Sequence, residues 1–201
     1  QAERAAIRDL RHVQGVTVFV ARLSFNLANY EELTGISYTI APRTGSHSKP
    51  LAVSVDKSWL DRRGAYSSIS RRLELPVFGL YPSWANSIGL SARFRDGSQH
   101  DFRAVVETAA YTGPAGLYAT PDIQVARTSE RAPGFDFMLI KNGLSSPVVL
   151  DTDGHMRWTG AVLDDSFSSM YADGSFYIGS QTSAVLYLMD MDGAFTSVGV
   201  N

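Results

Sequence analysis

Four histidines are the side chains in this sequence best suited to nucleophilic or acid–base chemistry near neutral pH. They are scattered along the chain, at His12, His47, His100 and His155. None falls in a segment expected to line a shared cavity. His12 lies in the amphipathic run at the N-terminus and His47 in a Gly/Ser loop, and His100 and His155 each follow an Asp-Gly turn. We therefore expect each to be a solvated surface histidine, and the sequence predicts no catalytic residue.

Two acidic motifs have aspartate spacing that also occurs in calcium-binding loops. Residues 151–154 read DTDG and residues 190–193 read DMDG. A calcium loop of the EF-hand type needs further oxygen ligands, including a glutamate at its twelfth position. That position is Val162 after the first motif and Asn201 after the second. Aspartate capping its own backbone before a turn glycine explains both motifs, so we predict tight turns and no metal site.

The sequence contains none of several other common catalytic or cofactor-binding motifs. Asp164 and Asp165 are adjacent, and neighbouring residues on a strand face opposite ways, so they cannot act as a carboxylate pair. The chain has no Gly-x-Ser-x-Gly elbow and no phosphate-binding P-loop. It contains no cysteine, which excludes disulfides and thiolate chemistry. No cofactor is predicted.

The composition is that of a folded chain without strong electrostatic preferences. Of 201 residues, 44% are hydrophobic and 19% charged, and the net charge is −2. Scattered basic residues give little counterion-release drive, so we expect no nucleic-acid partner. No run reaches the ~18 apolar residues of a membrane-spanning segment, and none is predicted.

The first half of the chain predicts a short helix followed by an antiparallel β-sandwich. Residues 1–15 show helical spacing of apolar residues and end in glycine, which favours an N-terminal helix. Residues 16–112 then contain short strand-like runs, among them 16–25, 36–42 and 51–56. The Asp-Gly at 96–97, between two alternating runs, predicts a hairpin. Residues 113–134, rich in proline and glycine, are expected to be a linker.

The remaining residues, 135–201, have a repeat of their own. The DTDG and DMDG turns are offset by 39 positions, close to the ~40–45 residues per blade of common β-propellers. Strand-sized runs flank each turn. We expect one propeller blade and the start of a second, so the propeller is incomplete and the chain is interpreted as truncated. The predicted fold class is all-β, an Ig-like sandwich followed by propeller strands.

The stretch at 75–90, LPVFGLYPSWANSIGL, neither alternates like a strand nor is polar like a loop. Gly79 would permit a bend with close backbone approach. We expect Phe78, Leu80 and Tyr81 to anchor a sandwich corner to the core and to the following domain. The alternative, in which Phe78, Tyr81 and Trp84 form an aromatic platform for a sugar, stays open.

These motifs resemble the front portion of bacterial arylsulfotransferases. The likeness rests on Pro76-Val77, on residues 79–82 (GLYP), on Asn86 and Ile88, and on residues 148–158, VVLDTDGHMRW, which resemble the family's entry into its propeller. It spans roughly residues 50–195.

The resemblance implies a periplasmic or otherwise exported protein with an N-terminal sandwich and a propeller. Such enzymes transfer a sulfuryl group from a phenolic sulfate ester to a phenol without a nucleotide sulfate donor, through a sulfated propeller histidine. No histidine here matches that position, so the chain itself would serve as scaffold, interdomain contact and dimer contact. Phenolic sulfate and phenol would be substrates of the full-length protein. The alternative is an exported, non-enzymatic sandwich module that binds a carbohydrate or a protein.

Overall fold

The computed structural model describes residues 7–27, 29–113, 121–128, 130–131, 133–141, 146–162 and 166–199. These residues form an antiparallel all-β structure with four sheets. This confirms the predicted all-β class and the antiparallel N-terminal sandwich, while the propeller stays a prediction. No helix among the described residues is both long enough and apolar enough to cross a membrane.

Two four-stranded sheets build the sandwich. Sheet A has the order β1-β2-β6-β5 and sheet B the order β4-β3-β7-β8. The strands of sheet A are β1 (Arg8–Gln14), β2 (Val20–Asn26), β5 (Tyr66–Ser67) and β6 (Arg72–Phe78). Those of sheet B are β3 (Leu33–Ile40), β4 (Leu51–Asp56), β7 (Ala85–Phe94) and β8 (Gln99–Glu107).

The alternation of apolar and polar residues determines which face of each sheet is buried. In β7 the residues at every second position, from Asn86 to Phe94, are buried, and the intervening ones are more exposed. Because side chains alternate across a strand, this places one face of sheet B against sheet A. The core between them includes Phe25, Ile36, Leu75 and Leu90. The predicted hairpin is confirmed, with Gly97 at φ +81° in its turn.

The predicted N-terminal helix is wrong for the residues that the structure describes. Arg8–Gln14 form strand β1, which pairs antiparallel with β2, while residues 1–6 lie outside the described part. Ile7 and Leu10 pack against the sandwich core. Helical spacing is a weak signal in so short a run, and pairing with the free edge of β2 outweighs it.

The fold does contain a short helix, at a different place. Helix α1 (Lys57–Arg62) follows β4, and the Asp56 carboxylate caps it by accepting from the Trp59 backbone N–H at 2.7 Å. A single 3-10 turn, Tyr30–Glu32, precedes β3.

Two further sheets are formed by the C-terminal part. Sheet C has the order β11-β10-β9, from β9 (Phe137–Ile140), β10 (Val148–Asp151) and β11 (Met156–Thr159). Sheet D has the order β12-β13-β14-β15, from β12 (Ser166–Ala172), β13 (Ser175–Ser180), β14 (Val185–Asp190) and β15 (Phe195–Gly199). The predicted turns at Gly154 and Gly193 are confirmed, each with positive φ, and Gly174 between β12 and β13 also has positive φ. The parts of the predicted linker that are described form no strand before Phe137.

Candidate functional site at the joint between the sandwich and sheet C

The corner after β6 depends on the backbone conformation of Gly79. Its φ is +89°, a region that L-residues rarely adopt. The N–H groups of Gly79 and Leu80 both donate to the Phe19 carbonyl, at 3.0 and 3.1 Å. A Cβ at position 79 would lie 2.2 Å from Leu51 Cδ2. The bend predicted from the sequence is therefore present, and only glycine fits it without strain.

Asn86 holds the rest of the corner together from within. It is fully buried. Its Oδ1 accepts from the Tyr81 N–H at 2.8 Å, and its Nδ2 donates to the carbonyls of Tyr81, Trp84 and Val106 at 3.0 to 3.3 Å. A buried side-chain amide with these partners satisfies backbone groups of Tyr81, Trp84 and Val106 at the corner. This gives a physical reason for the asparagine in the GLYP-to-Asn segment.

Arg157 on β11 connects this corner to sheet C. Its Nε and Nη2 donate to the Gly79 carbonyl at 3.0 and 2.7 Å, and its Nη1 lies 3.3 Å from Asp151 Oδ2. Its guanidinium stacks over the Tyr81 ring, with Cζ 3.7 Å from the ring centroid. Arg157 is 1% exposed and Asp151 0%. We call these four residues, Gly79, Tyr81, Asp151 and Arg157, the joint.

The electrostatics of the joint follow from its burial. Burial lowers the pKa of Arg157 below its ordinary value, while Tyr81 and Asp151 oppose that change. Burial likewise raises the pKa of the Tyr81 hydroxyl. A buried guanidinium is tolerated only when it is paired and hydrogen-bonded, and here carbonyl, carboxylate and ring together provide this.

The loop of residues 46–48 in the sandwich donates several hydrogen bonds to the Asp153 carboxylate in the β10–β11 turn. Asp153 Oδ2 accepts from the Ser48 N–H at 2.9 Å, the Ser48 hydroxyl at 2.7 Å and the His47 N–H at 2.9 Å, and also from the Ser46 hydroxyl. Burial would raise the pKa of Asp153, but these hydrogen bonds hold it below its ordinary value. The β10–β11 hairpin is therefore bonded to the sandwich at two places, through Asp153 to the 46–48 loop and through Arg157 to the Gly79 carbonyl.

The four histidines do not come together. His12 and His47 are exposed, as expected. His100 is half-buried against the Phe94 ring at 5.5 Å. His155 is also not a solvated surface histidine: its side chain is 34% exposed, Nδ1 lies 3.3 Å from Asp151 Oδ1, and its ring meets Tyr81 edge-on.

Asp151, Asp153 and His155 have ligand atoms within 4.8 Å of one another, a spacing that could hold a metal ion. Their carboxylates already have other partners, however. Asp151 Oδ1 accepts from the N–H groups of Asp153 and His155, and its Oδ2 faces Arg157. With Asp153 Oδ2 also taken up by the loop, a cation would have to displace several donors. The pair at Asp164 and Asp165 lies outside the described residues.

A cavity of about 400 Å³ lies beside the joint, between the sandwich and sheet C. Arg43, Tyr111 and His155 line it together with Phe19, Pro82 and Met156. Arg43 donates to the Pro82 carbonyl and lies 5.0 Å from the ring centroids of both Tyr81 and Trp84. Tyr81 and Trp84 are therefore contacts of an arginine here, while Phe78 packs in a different cluster.

Sheet D stacks on sheet C next to the joint. Trp158 of β11 stacks on Phe176 of β13, with ring centroids 5.0 Å apart, and its Nε1 donates to the Met191 carbonyl at 2.8 Å. Ile178 and Met189 complete the buried cluster, which also includes Val20 of the sandwich. One face of sheet D is therefore covered.

The opposite face of sheet D carries apolar side chains beside the polar residues Ser175, Asp190 and Thr196. Strand pairing places Met170, Tyr177 and Leu188 in one row across the sheet, and Leu186 and Val198 in the next. Met170 is 62% exposed and Val198 43%. We call these five residues the open face of sheet D. Tyr177, Leu186 and Leu188 are half-buried.

Sequence reasoning missed Arg157 as the central residue of the joint. A signal was present: Arg157 is a charged residue between Met156 and Trp158 in a short strand, and the repeat places Thr196 at the corresponding position of the second hairpin. A cation in a strand that must be buried needs a partner.

No protein-family model matches the chain, and no curated protein matches it significantly. Among solved structures, the chain is similar to the fibronectin type III domain of the human collagen alpha-1(XX) chain, at 18% identity and a TM-score of 0.42, over 58% of this chain and 95% of that one.

Proposed function

We propose that this chain is the scaffold portion of an arylsulfotransferase-like protein, in which a β-sandwich carries the first sheets of a propeller. The observation that supports this most is sheet D, which packs on sheet C through the Trp158 cluster and exposes Met170 and Val198 on its other face. A four-stranded antiparallel meander that packs on the preceding sheet and exposes apolar side chains on the other face fits a unit of a ring of stacked sheets.

The joint supports the scaffold role. Arg157 and Asp153 tie the β10–β11 hairpin to the sandwich at two places, and Arg63 of the sandwich lies 3.0 Å from Asp190 Oδ2 at the second hairpin. Both C-terminal sheets thereby have polar contacts with the sandwich. In an enzyme whose catalytic groups come from several sheets, such a fixed first sheet would set the position of the others.

In the proposed full-length protein, a propeller histidine would take the sulfuryl group from a phenolic sulfate and pass it to a phenol. A neutral imidazole is a suitable nucleophile near pH 7, and nearby cations would stabilise the sulfate oxygens. None of the four histidines of this chain takes that role. Export to the periplasm and dimer formation belong to the same proposal.

The experiment is an assay with 4-nitrophenyl sulfate, with and without phenol as acceptor. The 201-residue chain should release no nitrophenol under either condition. The product of the complete reading frame should release it only when phenol is present. Release by the 201-residue chain, or no release by the product of the complete reading frame, would contradict the proposal.

A second candidate function has one observation in its favour, the cavity beside the joint. Its wall combines the Tyr111 and Phe19 rings with Arg43, a mixture of aromatic and polar groups that suits a carbohydrate. Glycan-array binding that is lost in Tyr111→Ala would support this binding module. If no glycan on the array binds, the binding-module function is contradicted and the scaffold role is the proposal that remains.

A further inference from the structure

The cavity beside the joint has a wall with a positive charge and no acidic group. Among the described residues that line it are Arg43 and His155, and none is an aspartate or a glutamate. Its volume of about 400 Å³ lies within the range of roughly 300–1,000 Å³ that is usual for small-molecule sites. An anionic group could therefore approach Arg43 without meeting a carboxylate of the wall.

Arg43 differs from the comparable arginines of this chain in lacking an acidic partner. Four arginines in the described part of the chain are not exposed: Arg43, Arg72, Arg127 and Arg157. The last three each lie within 3.3 Å of an aspartate carboxylate oxygen. Arg43 forms no ion pair with any carboxylate that the structure describes. A guanidinium that is partly withdrawn from water is normally paired, so one counter-charge is missing here.

The partners that Arg43 does have bring no negative charge. It donates from Nη2 to the Pro82 carbonyl, and its Nε is buried with no hydrogen-bond partner among the described residues. Its Cζ lies 5.0 Å from the ring centroids of Tyr81 and Trp84. Ring faces attract a cation but leave its charge uncompensated. A carboxylate or a sulfate bound to the guanidinium would supply the missing charge through charge-assisted hydrogen bonds.

The rest of the wall suits the ring of a sugar. Tyr111 packs against Phe19, with ring centroids 5.0 Å apart, and Leu150 and Met156 add apolar surface from sheet C. The Nδ1 atom of His155 forms no hydrogen bond within the described part of the chain, although Asp151 Oδ1 lies 3.3 Å away. Aromatic and apolar surface with a few polar groups is the usual lining of a site for a small polar ligand.

We propose that this cavity binds an anionic sugar, one that carries a carboxylate or a sulfate group. Arg43 holds the anion, and Tyr111 contacts the sugar ring. This inference rests on the second candidate function, carbohydrate binding, and names the class of sugar. Because the sandwich supplies Arg43 and sheet C supplies His155, a bound sugar contacts both and stabilises the folded chain.

The experiment is isothermal titration calorimetry of the 201-residue chain with three sugars: methyl glucuronide, glucose 6-sulfate and the neutral methyl glucoside. We expect at least one anionic sugar to bind about tenfold or more tightly than the glucoside, because a hydrogen bond to a charged group is worth more than a neutral one. The tighter of the two anionic sugars identifies the acidic group. Inorganic sulfate, which has no ring to contact Tyr111, should bind more weakly than either.

NMR places the bound sugar. The imidazole signals of His155, assigned with the variant His155→Gln, should shift in a saturable way with the anionic sugar. The signals of His12, which is exposed on β1 and does not line the cavity, should not move. Shifts at His12 without shifts at His155 would place the ligand elsewhere and overturn the proposal.

Arg43→Gln is the variant that tests the charge, since it keeps a donor for the Pro82 carbonyl. It should bind the anionic sugar as weakly as the glucoside, whereas Arg43→Lys should keep part of the preference. Arg103→Gln is the matched control, because Arg103 is exposed on β8 and does not line the cavity. If Arg43→Gln does not fold, added salt tests the same charge in the parent chain, by weakening the binding of the anionic sugar and not that of the glucoside.

Four results would overturn the proposal, and they separate it from the functions proposed above. Equal affinity for anionic and neutral sugars would leave carbohydrate binding in place and remove the role of Arg43. No binding of any sugar at millimolar concentration would remove both. An equal loss of preference in Arg103→Gln would assign that preference to the net charge of the chain, and inorganic sulfate binding as tightly as the sugars would indicate an adventitious ion only. The assay with 4-nitrophenyl sulfate tests the scaffold role independently of all four.

Discussion

At the scale of single residues, Gly79 controls the corner because two separate constraints act on it. Its φ of +89° strains any other residue, and Leu51 fills the space that a Cβ would need. Gly97 has a similar φ of +81° but nothing within 4 Å of its Cβ position. A substitution at Gly97 therefore introduces backbone strain only, whereas one at Gly79 introduces backbone strain and steric overlap with Leu51.

We predict that Gly79→Val destabilises the chain more than Gly97→Val does. Both variants carry the strain of positive φ, and overlap with Leu51 should add about 1–3 kcal/mol at position 79. Chemical denaturation of the two variants and the parent measures the difference. Equal losses, or an unchanged Tm for Gly79→Val, would show that the bend is not constrained as described.

Arg157 gives the second residue-scale prediction. Arg157→Met leaves the Asp151 carboxylate buried without its cation, so we expect a loss of about 3–5 kcal/mol in the free energy of unfolding. Arg157→Met combined with Asp151→Asn should recover part of it, since no unpaired charge remains.

The control for that prediction is Arg63→Met. Arg63 also forms an ion pair with a hairpin aspartate, Asp190, but its side chain is 30% exposed. Exposed pairs contribute roughly 0–1 kcal/mol, so this variant should be nearly neutral. A loss at Arg63 equal to that at Arg157 would mean that burial of the joint does not set its strength.

At the scale of elements, the strongest sequence signals were local and proved correct. The Asp-Gly turns and the alternation of β4 and β7 specify hairpins and buried faces by themselves. Strand β1 was mistaken for a helix because its partner, β2, decides its conformation. The joint was hidden for the same reason: Arg157 and Gly79 are 78 positions apart, and nothing local shows that they meet.

The 46–48 loop yields a pH-dependent prediction. Hydrogen bonds hold the pKa of Asp153 below its ordinary value in the folded chain. A carboxyl with a depressed folded pKa contributes stability that is present above its unfolded pKa, about 4, and is lost as pH falls through the folded pKa. Asp153→Asn should therefore be less stable than the parent at pH 7, and the difference should shrink below about pH 4.

Asp192→Asn is the matched control for that titration, because Asp192 occupies the same position of the second hairpin. Its carboxylate accepts from the Ala194 N–H and lies 3.8 Å from Arg63. Urea unfolding at a series of pH values compares the variants. A stability difference for Asp153→Asn that is independent of pH down to pH 2 would contradict the role given to the loop.

At the scale of the whole molecule, the sandwich and the C-terminal sheets differ in how far their apolar side chains are buried. The sandwich encloses its own core, and the joint and the Trp158 cluster attach sheets C and D to it. Sheets C and D share the buried Trp158 cluster, but Met170 and Val198 on the open face of sheet D are exposed. A covering sheet, as in the proposed ring of stacked sheets, would bury these side chains. The 39-residue repeat indicated the hairpins but could not show which faces they bury.

The central claim is that the open face of sheet D is covered by another sheet in the complete protein. The chain has no cysteine, so a thiol introduced by Met170→Cys reports on this face by its rate of labelling. Ile69→Cys, at a side chain 98% exposed, and Ile178→Cys, at one 0% exposed, give the fast and slow limits. In the 201-residue chain, Met170→Cys should label nearly as fast as Ile69→Cys. In the product of the complete reading frame it should label as slowly as Ile178→Cys, and labelling there at the rate of Ile69→Cys would contradict the account.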